Sequence, residues 1–373
     1  MPNPNAVVST VVRLEPRLDR PPEEVLRAEG GLSVELEGER RIGLDPADPR
    51  SVGFARILDE LSRQRLPVYL EVDPQTSTLT GLFIPHVTRV IGISAIDEGL
   101  LSVEIEASHA RHVLRRGAPD HDELEQQLRT ALDTGEPIVL TEDDAHEIFD
   151  IRPYTAAPEE LPRPFPKPGF PHRPWFVRWI WWLLHLWYCP WWPWWWWFRC
   201  MSGAKAQKVF DAMSATSCNP VTVPPPCIPF LYPDDGCWAR AHEMCRLMII
   251  MGHSPRKVWI QGGLHVSTKN NPTCGVTWGW HVAPTLCVRG PKFFKAQTMV
   301  IDPSLFTTPV SKATWKGVQG DPNATLTDSD ASDYLWGSTD PNYVLTNQKL
   351  AFYRLQLQNR SIQQGPPPYA NCP

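Results

Sequence analysis

LYPDDGCWARAHEMCRLMIIMG, residues 231–252, is the stretch from which the C-terminal half of the chain can be read. Pro233, Asp234, Asp235 and Gly236 are turn-forming residues in succession. No glycine or proline follows until Gly252, so the run predicts a helix over 237–251 that Gly252 ends. Cys237 then sits at the first position of that helix. A thiol there has a chemical meaning, because the positive end of a helix favours the sulfur anion and the thiolate is the nucleophilic form.

Such a thiol needs a base, and the base needs an orienting acid. His281 lies in TWGWHVAP (277–284) and Asp302 in TMVIDPS (298–304), and both read as strands. Strands are expected near 257–262, 277–288 and 297–302, with the short connection Arg289–Lys292 making the last two neighbours. Cys237, His281 and Asp302 are therefore the candidate nucleophile, base and orienting carboxylate. His265, in GGLHVS, is the runner-up base. His242 lies five residues past Cys237, about 500° around the helix, and points away from the sulfur. Asp234 and Asp235 read as caps of the helix or of the turn before it, where an anionic acceptor satisfies free amides. Trp278, Trp280 and Asp235 are candidates for the walls of a substrate channel.

Together, YPDDGC at Tyr232–Cys237, WGWHVA at Trp278–Ala283 and IDPS at Ile301–Ser304 resemble the protein-glutaminase (protein-glutamine deamidase) family, in the transglutaminase and papain-like superfamily. The resemblance spans about Cys218–Trp336 and nothing before residue 200. It implies an α+β fold, with the nucleophile at a helix N-terminus packed on an antiparallel sheet and a separate small α+β domain preceding it. It implies that Cys237 attacks the side-chain amide of protein- or peptide-bound glutamine. His281 would protonate the leaving ammonia and water would resolve the thioester, with the Cys237 backbone N–H as an oxyanion donor. No cofactor or metal is implied. The same three residues would serve a transglutaminase or a papain-like protease. An inactive binding module is the reading from another class.

The chain has 373 residues, too many for one ordinary core. Residues 1–152 hold 16 arginines, no lysine and 29 acidic residues, a net charge of −13, against +8 for the remainder. That asymmetry predicts separate modules that attract one another, and the modest basic excess argues against nucleic acid as a partner. The first module, 1–152, reads as α+β. LSVELEG, VYLEVD, LLSVEIEAS and PIVLTED alternate as strands, helices are expected at 51–64 and 121–134, Asp120 or Asp122 caps the second, and Gly135 ends it. Its histidines, His109, His112 and His146 among them, look scattered, and the module is expected to be accessory, docking or inhibitory. The catalytic module is expected over 200–363, with a short helix at Val310–Lys316 and a flexible tail from 364 to 373.

Between the modules, residues 153–174 contain eight prolines and read as a semi-rigid spacer. Trp175–Phe198 then holds eleven of the seventeen tryptophans. Up to Cys189 it would rise about 22 Å as a helix, short of a hydrocarbon core of about 30 Å. Tryptophan also prefers the headgroup layer. The tract reads as an interfacial anchor or a protein-covered aromatic patch, with a kinked span as the alternative. All nine cysteines fall at or after residue 189, and removing Cys237 leaves an even number, which allows four disulfides or reduced core thiols. Cys245 and Cys287 read as core. The N-terminus lacks a secretory signal pattern, so a bacterial protein that is membrane-associated or exported by another route is expected.

Overall fold

The computed structural model describes residues 5–97, 99–106, 108–118, 120–154, 200–220, 227–290 and 296–373. The spacer expected from 153 begins inside β11, which runs to Pro153; residues 155–174 and the tract Trp175–Phe198, with the membrane reading attached to it, lie outside the described residues. Among the described residues no helix is long and apolar enough to cross a membrane.

The N-terminal half is a pair of small sheet-and-helix layers. β1 (Ala6–Glu15), β2 (Leu32–Leu36), β3 (Arg41–Leu44), β4 (Pro67–Val72) and β5 (Leu79–Phe83) form an antiparallel sheet in the order β3-β2-β1-β4-β5. Helix α1 (Pro22–Glu29) precedes β2, and α2 (Ser51–Gln64) matches the expected span. α2 buries Phe54, Ile57, Leu58 and Leu61, one helical stripe, against the strand interiors Val34, Val68 and Leu70. Next come β6 (His86–Thr88), β7 (Val90–Asp97), β8 (Leu100–Ile105), β9 (His112–Arg115), α3 (His121–Thr134), β10 (Ile138–Glu142) and β11 (Ile148–Pro153). They make the sheets β7-β8-β9 and β11-β10-β6, with Leu124, Leu128 and Ala131 of α3 in their shared core. Gly135 ends α3 in the left-handed conformation, its N–H on the Ala131 carbonyl at 2.9 Å, as the sequence suggests. Asp120 stands at the N-cap but makes no side-chain cap, because its own backbone is left-handed and turns the carboxylate away from the helix amides.

The C-terminal half contains α4 (Gly203–Ser214), α5 (Cys237–Ile250), β12 (Arg256–Ser267), β13 (Gly275–Arg289), β14 (Ala296–Val300), β15 (Val310–Ser311), α6 (Lys312–Gly317), β16 (Thr325–Asp330) and α7 (Val344–Gln364). Its antiparallel sheet runs β15-β14-β13-β12-β16. α5 lays Trp238, Ala241, Met244 and Met248 on Trp259, Val282 and Leu286. The helix expected from Val310 begins two residues later, since Val310 and Ser311 pair with β14 and the Ser311 hydroxyl then caps the Thr314 amide at 3.1 Å.

Disulfides join Cys200–Cys287, Cys218–Cys227 and Cys274–Cys372. Cys237 and Cys245 are free and buried. Cys287 is thus a crosslink rather than a reduced core thiol, because β13 carries it beside the start of α4. The tail expected to be flexible is fixed: Cys372 is bonded to Cys274, and the Tyr369 N–H donates to the Lys269 carbonyl at 2.8 Å.

Two features tie the halves together. α7 places Leu350, Tyr353 and Leu357 in the core under α5 and Leu355 in the core of the first sheet. Its Gln356 and Asn359 side chains donate to the Ile84 and Leu82 carbonyls, each at 2.8 Å. The segment between β8 and β9 runs antiparallel along β13. Ala110 bridges Trp278, the Arg111 N–H donates to the Thr277 carbonyl at 3.1 Å, and the Gly279 N–H donates to the His109 carbonyl at 3.0 Å.

Candidate active site

Cys237 is the first residue of α5, and the turn before it is built for glycine. Gly236 has φ +80°, and a Cβ there would lie 2.4 Å from the Tyr353 ring. β13 brings His281 over the sulfur. Cys237 Sγ, one ring nitrogen of His281 and one of His109 lie within 4.8 Å of one another. On its far side His281 Nε2 lies 2.9 Å from Asp302 Oδ2. Asp302 also accepts from Trp315 Nε1 at 2.9 Å and from the Ser304 amide at 3.2 Å. Burial alone would raise the Asp302 pKa, but the His281 and Trp315 donors outweigh it and hold the carboxyl below its usual range. The imidazole has the Trp278 ring stacked at 4.5 Å and the Trp315 ring at 5.4 Å. Its Nδ1 is buried and without a hydrogen-bond partner. The structure thus gathers Cys237, His281 and Asp302 into one line from three remote segments.

The N-terminal half closes over that line. The Asp235 carboxylate, beside the nucleophile turn, accepts from the Ser108 hydroxyl at 2.7 Å, the His109 amide at 3.0 Å and the Tyr353 hydroxyl at 2.6 Å. His109 Nδ1 lies 2.6 Å from Asp235 Oδ1, out of line for a full hydrogen bond. The ring is buried, stacks on His281 at 5.8 Å, and meets the Trp280 ring at 5.3 Å. Burial lowers the His109 pKa to about 4 against the pull of Asp235, so the ring is neutral at pH 7. Burial likewise pushes the Cys237 thiol well up; Arg240 and the Val282 amide pull it down, while Asp235 and Asp302 add to the rise.

Several expectations are corrected here. Neither Asp234 nor Asp235 caps α5 itself, but Asp235 does cap the turn, its Oδ1 accepting from the Gly236 amide at 2.8 Å. Both are buried acceptors facing the N-terminal half and α7. Asp234 receives Arg360 Nη1 at 2.9 Å and Nη2 at 3.0 Å. Asp235 is covered by Ser108 and His109 and does not line an open channel. Trp278 is fully buried, its indole N–H on the Asp234 carbonyl at 2.9 Å, and backs the imidazole rather than walling a channel. Trp280 does border open space: a cavity of about 690 Å³ is lined by Trp280, Trp336, Leu335, His109, Arg111 and Glu106, among others. The runner-up His265 is exposed on β12, away from Cys237. His242 is buried and engaged with Lys257 Nζ at 3.0 Å, facing away from the sulfur as its helical position implies.

The N-terminal histidines are not scattered. His112 and His146 set their Nδ1 atoms on the two oxygens of the buried Glu142, and His86 Nε2 lies 3.3 Å from Oε1. Burial opposes a charge on His146, but Glu142 and the more distant Asp234 and Asp235 overcome it and raise its pKa to about 9. Sequence reasoning missed both this cluster and His109, since only tertiary pairing brings these residues together. The charge asymmetry of the two halves was the one available signal.

A family model described as Glutaminase matches residues 206–319. The crystal structure of a pro-protein-glutaminase is similar in fold, with TM-score 0.50 at 22% identity over 78% of this chain and 99% of that one. That is more of the chain than residues 200–373 can supply, so the likeness of fold to this pro-form reaches into the N-terminal half. The protein-glutaminase from Chryseobacterium proteolyticum aligns at 29% identity over 47% of this chain and 97% of its own, with TM-score 0.39. No curated protein matches the chain. The stretch that supplies Cys237, His281 and Asp302 is accordingly a protein-glutaminase domain.

Proposed function

We propose that the chain is the covered form of a thiol amidohydrolase that converts protein- or peptide-bound glutamine to glutamate and ammonia. The observation that carries this reading is the Cys237, His281 and Asp302 line lying under His109 of the N-terminal half. With His281 Nε2 on the carboxylate, Nδ1 is the nitrogen left for the sulfur, and from there the imidazole takes the thiol proton while Asp302 steadies the imidazolium.

Attack of Sγ on the amide carbon forms a tetrahedral oxyanion, for which the Cys237 N–H at the helix start is a donor without an intrahelical partner. Protonated His281 gives its proton to the departing ammonia. Water then attacks the thioester, His281 accepts a proton, and glutamate and the free thiol are released. The placement of the nucleophile on a helix against an antiparallel sheet supports a papain- and transglutaminase-like arrangement. With His109 in place a glutamine side chain cannot reach the sulfur, so the N-terminal half acts as an inhibitory cover.

The test is ammonia release from a glutamine-containing peptide by the full chain, before and after limited proteolysis, with Cys237→Ala alongside. Release that appears on proteolysis and vanishes in the variant is the expected result. Incorporation of an amine, cleavage of the peptide backbone, or no reaction from the processed protein would each overturn it.

A further inference from the structure

The closed site has an unusual donor set. Cys237 Sγ, a ring nitrogen of His281 and a ring nitrogen of His109 converge within 4.8 Å, and all three residues are buried. His281 directs Nε2 to Asp302, which leaves Nδ1 for the sulfur side, and that atom has no partner. His109 directs Nδ1 to Asp235 at 2.6 Å, which leaves Nε2, also buried and without a partner. Two imidazole nitrogens without partners and a thiol are therefore left as donors in one small buried volume. Behind each imidazole stands a carboxylate, the outer arrangement that orients metal-bound histidines and raises their basicity.

We propose that the closed site binds one divalent transition-metal ion of the zinc class through Cys237 Sγ, His281 Nδ1 and His109 Nε2, so that the metal locks the N-terminal cover onto the nucleophile. Zinc bonds of about 2.0–2.3 Å imply donor separations of roughly 3.3–3.8 Å, so the three atoms need draw together by only about 1 Å. One thiolate and two imidazoles suit zinc or cobalt and not magnesium or calcium, which take oxygen ligands. The charges balance: a dication and Arg240 on one side meet the thiolate, Asp235 and Asp302 on the other. On binding, the S–H bond breaks, an S–metal bond forms, and the proton leaves to solvent. The cavity beside His109 gives a route in.

The second cluster, His112, Glu142 and His146, also brings three donors together, but its Nδ1 atoms are already engaged by the carboxylate. It therefore serves as the control. That the metal blocks turnover rests on the glutaminase reading; that it binds does not, and the experiment reads binding without turnover.

The full chain, stripped with a chelator, is titrated with Co²⁺ and Zn²⁺. Stoichiometry, the thiolate-to-cobalt absorption band and the unfolding midpoint are followed. One ion per chain, a thiolate band and a Zn²⁺-dependent rise in midpoint are expected, with no response to Mg²⁺. His109→Gln should weaken binding at least about tenfold, Cys237→Ser should abolish the band, and Cys245→Ser and His146→Gln should leave it. Circular dichroism confirms that each variant is folded. Absence of a band in the folded wild type overturns the proposal. So does a band that survives His109→Gln unweakened, or one lost with Cys245→Ser or His146→Gln.

Discussion

Arg360 of α7 grips the Asp234 carboxylate with both arms, Nη1 at 2.9 Å and Nη2 at 3.0 Å, three residues ahead of the nucleophile. Its Nε reaches Asp144 of the N-terminal half at 2.5 Å, and its guanidinium lies over the Tyr232 ring at 4.4 Å. One buried cation therefore fixes the nucleophile turn and the cover together. Arg360→Met leaves Asp234 buried without its cation, and the expected loss is about 3–5 kcal/mol of stability. Chemical denaturation of the full chain measures it; a change below about 1 kcal/mol would show that the pair does not hold the turn.

Gly236→Ala tests the turn itself. The residue has φ +80°, and the added methyl would meet the Tyr353 ring carbons at 2.4 and 2.6 Å. Left-handed strain and the clash act on the residue that precedes Cys237. The expected outcome is a fall in stability of at least about 2 kcal/mol and loss of ammonia release after processing. A variant that keeps wild-type turnover and midpoint would contradict the account of the turn.

His146 gives a pH dependence whose sign is fixed. Its pKa is raised from 6.5 in the unfolded chain to about 9 in the folded one. The stabilisation is therefore fully present below pH 6.5 and is lost as pH climbs through about 9. Glu142, lowered in the fold by the charge and hydrogen bonds of His112 and His146 that outweigh its burial, contributes above its unfolded pKa and loses this as pH falls. The unfolding midpoint should decline between pH 6.5 and 9, and His146→Gln should flatten that decline. An unchanged slope in the variant would rule His146 out as the source.

The Cys274–Cys372 bond closes a span of 98 residues and pins the C-terminal tail against the loop after β12. Replacing both cysteines with serine should lower stability by about 2–4 kcal/mol, chiefly by freeing the unfolded chain. It should also expose residues 365–373 to carboxypeptidase. A tail that stays resistant would show that Tyr369 and its neighbours hold it without the crosslink.

Much of the site is local and was legible in the sequence. The turn before Cys237, the helix to residue 250, the strand bearing His281 and the strand that stops two residues short of Asp302 follow from Pro, Asp and Gly placement and from alternation. α7 escaped such reading for a physical reason. Leu350, Tyr353 and Leu357 enter one core and Leu355 another, while Thr346, Asn359 and Arg360 are buried polar residues, so no single apolar stripe marks the helix. The role of Asp235 was misread because its partners, Ser108 and His109, lie 127 and 126 residues away. The tail looked free because three prolines mask a cysteine whose partner is far off in sequence.

The double allegiance of α7 has a consequence for any mature form. Detaching the first 154 residues strips the company from Leu355 and Ile362 and frees the amides of Gln356 and Asn359. On the proposed reading, the C-terminal half so released would carry a greasy flank ringed by hydrogen-bond donors, and unmasking the thiol would bring an adhesive side with it.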